Sequence, residues 1–428
     1  MARKLIMKTT RRHFLGSVSI AAVTTPNIIS SRVWAAKSND KINIGFIGFG
    51  RMNQSHLNFF LGQSDCRVVG IAEIAKIRLD EAMKRVVDKY GVNHGCKAHN
   101  DFREIISDKS VDAVVIGTPD HWHAMPAIMA ADAKKDIYCE KPLTVTVRAA
   151  LETLKAARRN NIVFQVGSQQ RTEFSGRFRQ AVECIRNGRI GEVKKVKIGV
   201  GNPAVPCDLP MEPKPDGIDW ELWQGPAPSR GFSKILCPID VHRHFPQWRR
   251  YSEYAGGGLS DMGAHHFDIA KWAMNLDETI PVKVVPPKEG NSGLTMIYEN
   301  GVEFVHETTG DRFNDCVFYG SEGTLYVDRS GIDANPKAAI SSPFGKDSWR
   351  LQEIGGSHRR NWIDCIRSRK KPVADVARGA HTSILCSMAN IGYQIRQEVR
   401  WNPKSYDCNS KLGSEIANRL GRGEWKFT

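Results

Sequence analysis

The sequence lacks the cysteine spacing of a disulfide scaffold or a zinc ribbon, because none of its ten cysteines forms a C-x-x-C pair. Most of these cysteines stand among apolar residues, a pattern that predicts buried thiols and suits folding in a reducing compartment. Low-complexity tracts and internal repeats are absent as well. With 428 residues, 41% of them hydrophobic and 25% charged, the chain has an ordinary globular composition and enough length for two cores.

The sequence has no concentrated stripe of positive charge, although its formal net charge is +15. Residues 1–36 hold six basic residues and no acidic one, and the remaining chain, with 55 basic and 46 acidic residues, carries only +9. These charges are scattered and are not interleaved with aromatic residues. We therefore expect no nucleic-acid partner.

The first 36 residues have the organisation of an export signal. Arg11 and Arg12 precede Phe14, and the apolar stretch 14–29 contains too many polar residues to span a bilayer. The segment ends in the small-residue pattern V-W-A-A. The arginine pair resembles the twin-arginine motif, so residues 1–36 are predicted to engage the twin-arginine export machinery and to direct the chain to the periplasm or another extracytoplasmic site. That route carries folded proteins, which fits the thiol content.

A dinucleotide-binding turn is predicted next. Residues 41–48 read as a buried strand that ends at a glycine, and the following residues open a helix. Two glycines allow a tight turn and close approach of the backbone to a pyrophosphate at the helix N-terminus. Asn53 stands where a third glycine is usual. The predicted cofactor-binding residues of this turn are Gly48, Phe49, Gly50, Arg51, Met52 and Asn53.

The second strand of this half, residues 67–72, ends at Glu73. A carboxylate there can accept hydrogen bonds from both ribose hydroxyls and repels a 2′-phosphate, so NAD is predicted over NADP. Lys76 and Arg78 lie close enough in the sequence to leave NADP open. Glu73 is a further predicted cofactor-binding residue.

Strands and helices continue to alternate up to residue 139, a rhythm that predicts a doubly wound parallel sheet. Ligands of such sheets bind at the carboxyl ends of the strands. After residue 117 the chain reads T-P-D-H-W-H, and after residue 139 it reads E-K-P-L-T. From these two segments we predict cofactor contacts by Thr118, Pro119, His121, His123, Glu140 and Lys141.

G-F-G, T-P-D-H-W-H and E-K-P-L-T together resemble the glucose–fructose oxidoreductase and inositol dehydrogenase family (Gfo/Idh/MocA). The resemblance implies an NAD(P)-binding Rossmann domain over residues 37–165, with Lys141 reaching both the nicotinamide and the reacting hydroxyl. His121 and His123 could instead only form local hydrogen bonds at the strand end. Trp122 is either a packing residue or, as we favour, a sugar-stacking face that contacts substrate.

The second half, residues 166–428, is predicted to be an α+β domain with a large, mostly antiparallel open sheet, closed by a C-terminal helix that packs back on the core. Asn300-Gly301 between two strand-like runs is a strong hairpin signal. Arg171, near the start of this half, is predicted to contact substrate. The resemblance implies that exposed strands of this sheet pair between copies, so a homo-oligomer is expected.

A helix that starts near residue 257 carries the predicted catalytic residues. Asp261, His265 and Asp268 are spaced i, i+4 and i+7 and so share one face. Histidine titrates near neutral pH, and a nearby carboxylate can orient its proton. By similarity to inositol dehydrogenases, His265 exchanges the hydroxyl proton, Asp261 orients it or substitutes for it, Asp268 binds substrate and Lys141 stabilises the oxyanion. The alternative is a capped, solvated helix face.

His242 and His244, upstream of this helix, are predicted to project over the same pocket and bind substrate. Together with Asp261 and His265 they would permit a metal site. No H-E-x-x-H or cysteine ligand pattern supports one, so no metal is predicted.

Three functions remain open from the sequence. We favour an NAD-dependent oxidoreductase that acts on a CH–OH group of a sugar, glycoside or cyclitol and keeps its cofactor bound, because no cofactor pool exists outside the cytoplasm. The second is a glycosidase that oxidises C3, eliminates the C1 group, adds water and returns the hydride. The third is a non-catalytic sugar-binding protein.

Overall fold

The computed structural model describes residues 41–308 and 314–427. The predicted export signal lies outside the described residues. Within them, no helix combines the length and apolar character needed to cross a membrane. The ten cysteines are all free thiols and eight of them are buried, which confirms the prediction of buried thiols.

The first half is a six-stranded parallel sheet flanked by helices, as predicted. The strand order is β3-β2-β1-β4-β5-β6, the doubly wound order that places ligands at the carboxyl ends of β1 and β4. Its strands are β1 Ile42–Ile47, β2 Cys66–Ala72, β3 Lys97–His99, β4 Ala113–Ile116, β5 Asp136–Cys139 and β6 Phe164–Val166. Its helices are α1 Arg51–Leu61, α2 Lys76–Tyr90, α3 Phe102–Ser107, α4 Ala124–Asp132 and α5 Val147–Asn160. Strands β4 and β5 are buried throughout, because helices cover both faces.

The second half contains an eight-stranded sheet that is mostly antiparallel, again as predicted. Its order is β13-β12-β11-β7-β10-β9-β8-β14, and β7 and β10 form its parallel pair. The strands are β7 Val193–Val200, β8 Lys283–Val285, β9 Leu294–Ile297, β10 Glu303–Thr308, β11 Asp315–Gly320, β12 Gly323–Asp328, β13 Ile332–Asn335 and β14 Val399–Arg400. The helices are α6 Arg177–Arg186, α7 Trp220–Gln224, α8 Gly257–Ala273, α9 Ala338–Ser341, α10 His358–Ser368, α11 Val376–Ile395 and α12 Lys411–Ala417.

Helix α8 packs between β7 and α11, and glycines fix where it starts. Gly257 has φ +69°, and a Cβ there would lie 2.5 Å from the amide nitrogen of Ala204. A Cβ on Gly258 would lie 2.9 Å from Cα of Gly201. Only glycine allows this close approach of helix and loop, which fixes the start of α8 against the chain that follows β7.

The chain returns from the second sheet to the first. Trp362 of α10 is fully buried, with ring centroids 5.7 Å from Phe60 and 5.8 Å from Tyr138 of the first half. Asp375, the N-cap of α11, accepts hydrogen bonds from Arg158 of α5. The division of the chain after residue 165 stays a prediction.

Candidate active site

One continuous cavity runs from the turn after β1 to the first turns of α8. Gly48, Gly50, Arg51 and Met52 line one part of it. Gly48 has φ +79°, and a Cβ there would lie 3.1 Å from the side chain of Thr118. Because the first helical hydrogen bond joins the amide of Gln54 to the carbonyl of Gly50, the amides before it are not used within α1. These features fit an anionic pyrophosphate at the helix N-terminus.

Phe49 and Asn53 do not line the cavity, although the sequence placed them among the cofactor-binding residues. Phe49 is fully buried in the core of the first half. The Asn53 amide donates to the carbonyl of Gly48 at 2.6 Å, and its side chain packs on Gly117. The structure therefore corrects both assignments, because these two side chains pack in the protein interior behind the turn.

Glu73 lines the cavity beside the glycine turn, and both of its carboxylate oxygens already accept hydrogen bonds. Oε2 accepts from the amide of Phe49 at 2.7 Å, and Oε1 accepts from the amide of Ala75 and from Nε of Arg78, each at 3.0 Å. Burial acts to raise the pKa of Glu73, but the Arg78 charge and the two amides outweigh it and hold that pKa below its usual value. Glu73 is therefore an ionised acceptor.

The reactive end of the cavity is built by Lys141, which follows β5, and Asp261 on α8. Lys141 Nζ donates to Oδ1 of Asp261 at 2.7 Å and to its main-chain oxygen at 2.8 Å. Burial acts to raise the pKa of Asp261, but the charges of Lys141 and Arg249 outweigh it, so that pKa is lowered. The predicted convergence of this amine and carboxylate from separate halves is present in the structure.

His265 lines the same end and is buried. Burial, with the charges of Lys141 and Arg329 adding to it, holds the pKa of His265 well below its ordinary value, so the imidazole is neutral at pH 7. Its Nδ1 is a buried polar atom without a hydrogen-bond partner among the described residues. A neutral imidazole with a free nitrogen can receive a proton from a hydroxyl group in the cavity.

Glu140, which also lines the cavity, holds the backbone beside Lys141. Its Oε2 accepts from the amide of Lys141 at 3.2 Å, and its Oε1 accepts from Nε2 of His56 at 2.8 Å. Nδ1 of His56 accepts from Nε of Arg359 at 2.7 Å, so the imidazole proton lies on Nε2. No local pattern marked His56 or Arg359, since they lie 84 and 219 positions from Glu140.

At the end of β4, Thr118 and Pro119 line the cavity and His121 does not. Nε2 of His121 lies 3.0 Å from the carbonyl oxygen of Trp223, a residue of the second half, so its predicted cofactor contact is corrected to a contact between the two halves. His123 does line the cavity, but both ring nitrogens face carbonyl oxygens, of Pro142 at 2.7 Å and Thr118 at 2.9 Å. Its ring secures the strand end.

Trp122 packs against other aromatic residues and also lines the cavity. Its indole N–H donates to the carbonyl of Trp223 at 2.8 Å. Its ring makes edge contacts with Phe102 and Trp425 and is only 4% exposed. The favoured sugar-stacking role of this ring stays a prediction.

Arg171 and Asp268 are also away from the cavity, so their predicted contact with substrate is corrected. They form a fully buried pair in which Nε donates to Oδ2 at 2.7 Å and Nη2 donates to Oδ1 at 2.8 Å. Asp277 accepts a further hydrogen bond from Arg171 at 2.7 Å. The cluster joins α8 to the chain after β6, which is a structural role.

His242 lines the cavity near Arg78, at the end remote from Lys141. Its Nε2 lies 3.2 Å from Nη1 of Arg78, and burial lowers its pKa to about 4. His244 is exposed and does not line the cavity. The predicted contact of these two histidines with substrate stays a prediction. Over residues 41–308 and 314–427, no group of three or more His, Cys, Asp or Glu side chains is arranged to hold a metal.

Other residues at the reactive end were not predicted. The lining there also includes Asp120, Gln169, Phe245, Trp248, Arg249 and Arg329. Asp120 stands inside the T-P-D-H-W-H segment, so its strand-end position was a signal. Arg249 lies in the irregular segment 201–254, which is rich in Pro, Trp and His, and the length of that segment was another signal. Nothing local marks Arg329, which comes to the site by the pairing of β12.

Comparison with known proteins agrees with this geometry. Residues 42–168 match the Gfo/Idh/MocA model described as an oxidoreductase family with an NAD-binding Rossmann fold. Residues 204–427 match the C-terminal alpha/beta domain of the same family. The two matches cover most of the chain.

Individual relatives are more distant. The chain is 26% identical over 304 residues to the uncharacterized oxidoreductase YrbE of Bacillus subtilis, covering 68% of this chain and 74% of that protein. It is 27% identical over 233 residues to the myo-inositol 2-dehydrogenase of Thermotoga maritima and spans 55% of its length. A levoglucosan dehydrogenase in complex with NADH and levoglucosan shares the fold, with a TM-score of 0.58 and 20% identity over 84% of this chain and 99% of that one. The chain therefore belongs to the Gfo/Idh/MocA family of NAD-binding oxidoreductases.

Proposed function

We propose that this protein is an NAD-dependent oxidoreductase that acts on a CH–OH group of a sugar, glycoside or cyclitol and keeps its cofactor tightly bound. The observation that carries the proposal is the position of Lys141, Asp261 and neutral His265 around one end of a cavity whose other part is the glycine turn. A bound nicotinamide ring would supply the hydride acceptor. Two of the relatives named above are, by their names, a myo-inositol 2-dehydrogenase and a levoglucosan dehydrogenase.

The side chains divide the remaining work. His265, a neutral imidazole that lines the cavity, accepts the hydroxyl proton. The Lys141 ammonium donates to the oxygen that becomes negative, a form of charge stabilisation that is strong in a shielded site. Asp261 holds the ammonium in place through two hydrogen bonds. No hydrogen bond joins Asp261 to His265 among the described residues, so Asp261 is a positioning residue for Lys141.

Tight retention of the cofactor is supported by residues 236–242, which line one side of the cavity and which we name the roof segment. Leu236, Cys237 and His242, from the long loop of the second half, line the part next to Glu73. Arg78 Nη1 donates to the carbonyl of Pro238 at 3.1 Å, and Gln54 donates to the carbonyl of His242 at 2.7 Å. These hydrogen bonds join the roof segment to the first half of the chain.

The choice of NAD over NADP is supported by the Arg78 charge. Arg78 contacts Glu73 through Nε and Nη2, and both side chains are buried. A cation committed to a buried carboxylate is not free to bind a 2′-phosphate, and the carboxylate itself repels one.

Asp120 favours the redox-neutral glycosidase as a second candidate. Burial raises its pKa to about 8, so this cavity-lining carboxyl is protonated at neutral pH. Elimination of a C1 group requires a proton donor besides the base that takes the hydroxyl proton. A protonated Asp120 near His265 and Lys141 provides one.

The test is to purify the folded protein, identify released nucleotide by mass spectrometry, and follow absorbance at 340 nm and products over a panel of sugars and glycosides. We expect copurified NAD(H) and, with Lys141→Met, a fall in turnover of about 10²- to 10³-fold with the nucleotide still bound. Lys89→Met, at an exposed lysine in the same half, is the control. Full turnover by Lys141→Met would sink the assigned chemistry, and an apoprotein that needs millimolar NAD would sink tight retention. Ligand binding with no chemistry on any sugar would favour the binding protein.

We also propose twin-arginine export of the chain and assembly as a homo-oligomer. The basic start, short apolar run and V-W-A-A end of residues 1–36 support export, and retention of the unprocessed chain in the cytoplasm would count against it. The outward face of the second sheet, with the exposed Tyr319, supports assembly, which light scattering tests.

A further inference from the structure

Two guanidinium groups flank Asp261 at the reactive end of the cavity. Arg249 comes from the loop before α8, and its Nε lies 3.8 Å from Oδ1 of Asp261. Arg329 follows β12 and lines the same end. The charges of both arginines act on the pKa of Asp261, and that of Arg329 also acts on His265. The two cations therefore surround the place where the substrate reacts.

Neither guanidinium is neutralised by a carboxylate of its own. Arg329 donates from Nε to the neutral amide of Gln170 at 3.1 Å, and no ion pair within 4.0 Å involves it in the described part of the chain. Nη1 of Arg249 is buried without a hydrogen-bond partner there. Two carboxyl groups lie near Arg249: that of Asp261 is already bonded to Lys141 at 2.7 Å, and that of Asp120 makes no ion pair with Arg249 within 4.0 Å in the described part of the chain.

The other acids at this end do not offset these cations. Asp120 is protonated at neutral pH because burial raises its pKa to about 8. Glu140 is ionised, but its charge is matched through His56 by Arg359. The reactive end thus holds two positive charges in excess, in a cleft where surrounding protein weakens solvent screening.

We infer that the substrate is an anionic sugar whose carboxylate or phosphate is held by Arg249 and Arg329 beside the reacting hydroxyl. The inference rests on the proposed function, since it names the substrate class of that same site. Guanidinium groups suit the task because their donors match two oxygens of one anion. Phe245 and Trp248 hold the Arg249 guanidinium from the side, with its carbon 4.9 Å and 4.2 Å from their ring centroids.

The experiment compares acids with their own amides on the purified protein with its cofactor. The probes are methyl glucuronide and methyl galacturonide, the amide of each, and glucose 6-phosphate against glucose. Affinity is measured by calorimetry and chemistry at 340 nm. We expect at least one anion to bind about ten- to a hundredfold more tightly than its neutral partner, with an advantage that shrinks as salt is raised. The acid pairs and the phosphate pair distinguish the two kinds of anion.

Arg249→Gln and Arg329→Gln are each expected to remove most of that preference, measured as the ratio of the affinities for the anion and for its neutral partner. Arg250→Gln, an exposed neighbour with the same loss of charge, is the matched control. A panel in which no anion is preferred, or a preference that both variants keep, overturns the inference. If anions bind through these arginines but no hydride transfer is seen, the inference stands and the proposed oxidoreductase is overturned. If only neutral sugars react, the oxidoreductase stands and the inference is overturned.

Discussion

Gln54→Met tests whether the roof segment retains the cofactor. Gln54 is a buried residue of α1 whose amide donates to the carbonyl of His242 at 2.7 Å. Methionine has a similar volume and no donor, so the closed roof keeps its packing and loses this bond. A buried carbonyl without its donor costs about 1–3 kcal/mol, and that cost disappears when the roof opens to water. The open state therefore becomes about 5- to 150-fold more populated.

Because release requires the roof to open, the dissociation rate of bound NAD(H) is expected to rise by the same factor. The assay separates protein from free nucleotide by rapid gel filtration at successive times and measures the nucleotide that remains. Gln63→Met is the control, since that amide bonds within its own helix end, to the carbonyl of Phe59 at 3.2 Å. A release rate within twofold of the original protein, at unchanged thermal stability, would refute a closing role for the roof.

Two further predictions follow from buried ionisable groups. Burial lowers the pKa of Lys271 to about 7, and its amine has no hydrogen-bond partner among the described residues. Between pH 7 and the ordinary pKa of lysine, the unfolded chain binds more protons than the folded one, so the original protein gains stability as pH rises through that window. Lys271→Met should therefore raise the free energy of unfolding by about 3 kcal/mol more at pH 6 than at pH 9. Urea unfolding at both pH values measures this, and a gain independent of pH would contradict it. Asp120 is protonated below about pH 8 and becomes negatively charged above it, so it should then repel an anionic substrate. The KM for such a substrate should rise above pH 8 in the original protein and stay constant in Asp120→Asn. Parallel KM profiles of the two proteins would show that Asp120 does not titrate there.

Local patterns were enough to predict the fold and part of the site. The glycine turn predicted Gly48 and Gly50 because a positive φ and a helix N-terminus are encoded within a few residues. Lys141 was predicted from a segment at a strand end, and parallel topology brings strand ends to one edge. Asp261 and His265 were predicted from helical spacing, and the structure brings both to the cavity.

The errors share a physical cause: the spacing of residues along a helix tells which face a side chain is on, but not how deeply that part of the helix is buried. Asp268 shares the helix face of Asp261, yet seven residues along a helix amount to about 10 Å, and at that depth α8 has entered the core. There Arg171 supplies the partner that a buried carboxylate needs. The packing of Trp122 was not evident from the sequence because its neighbours, Phe102, Trp223 and Trp425, come from three remote parts of the chain.

Residues that are neighbours along the chain or along one helix were sufficient to predict the two-sheet architecture, the glycine turn, and the amine, imidazole and carboxylate at the Lys141 end of the cavity. The charge of that end and the closure of the cavity depend instead on how distant segments pack. Arg249, Arg329 and the roof segment reach the site through a long loop and a strand pairing, and a group's protonation depends on burial and on charges contributed by other elements. Those surroundings exist only once the two halves have packed together.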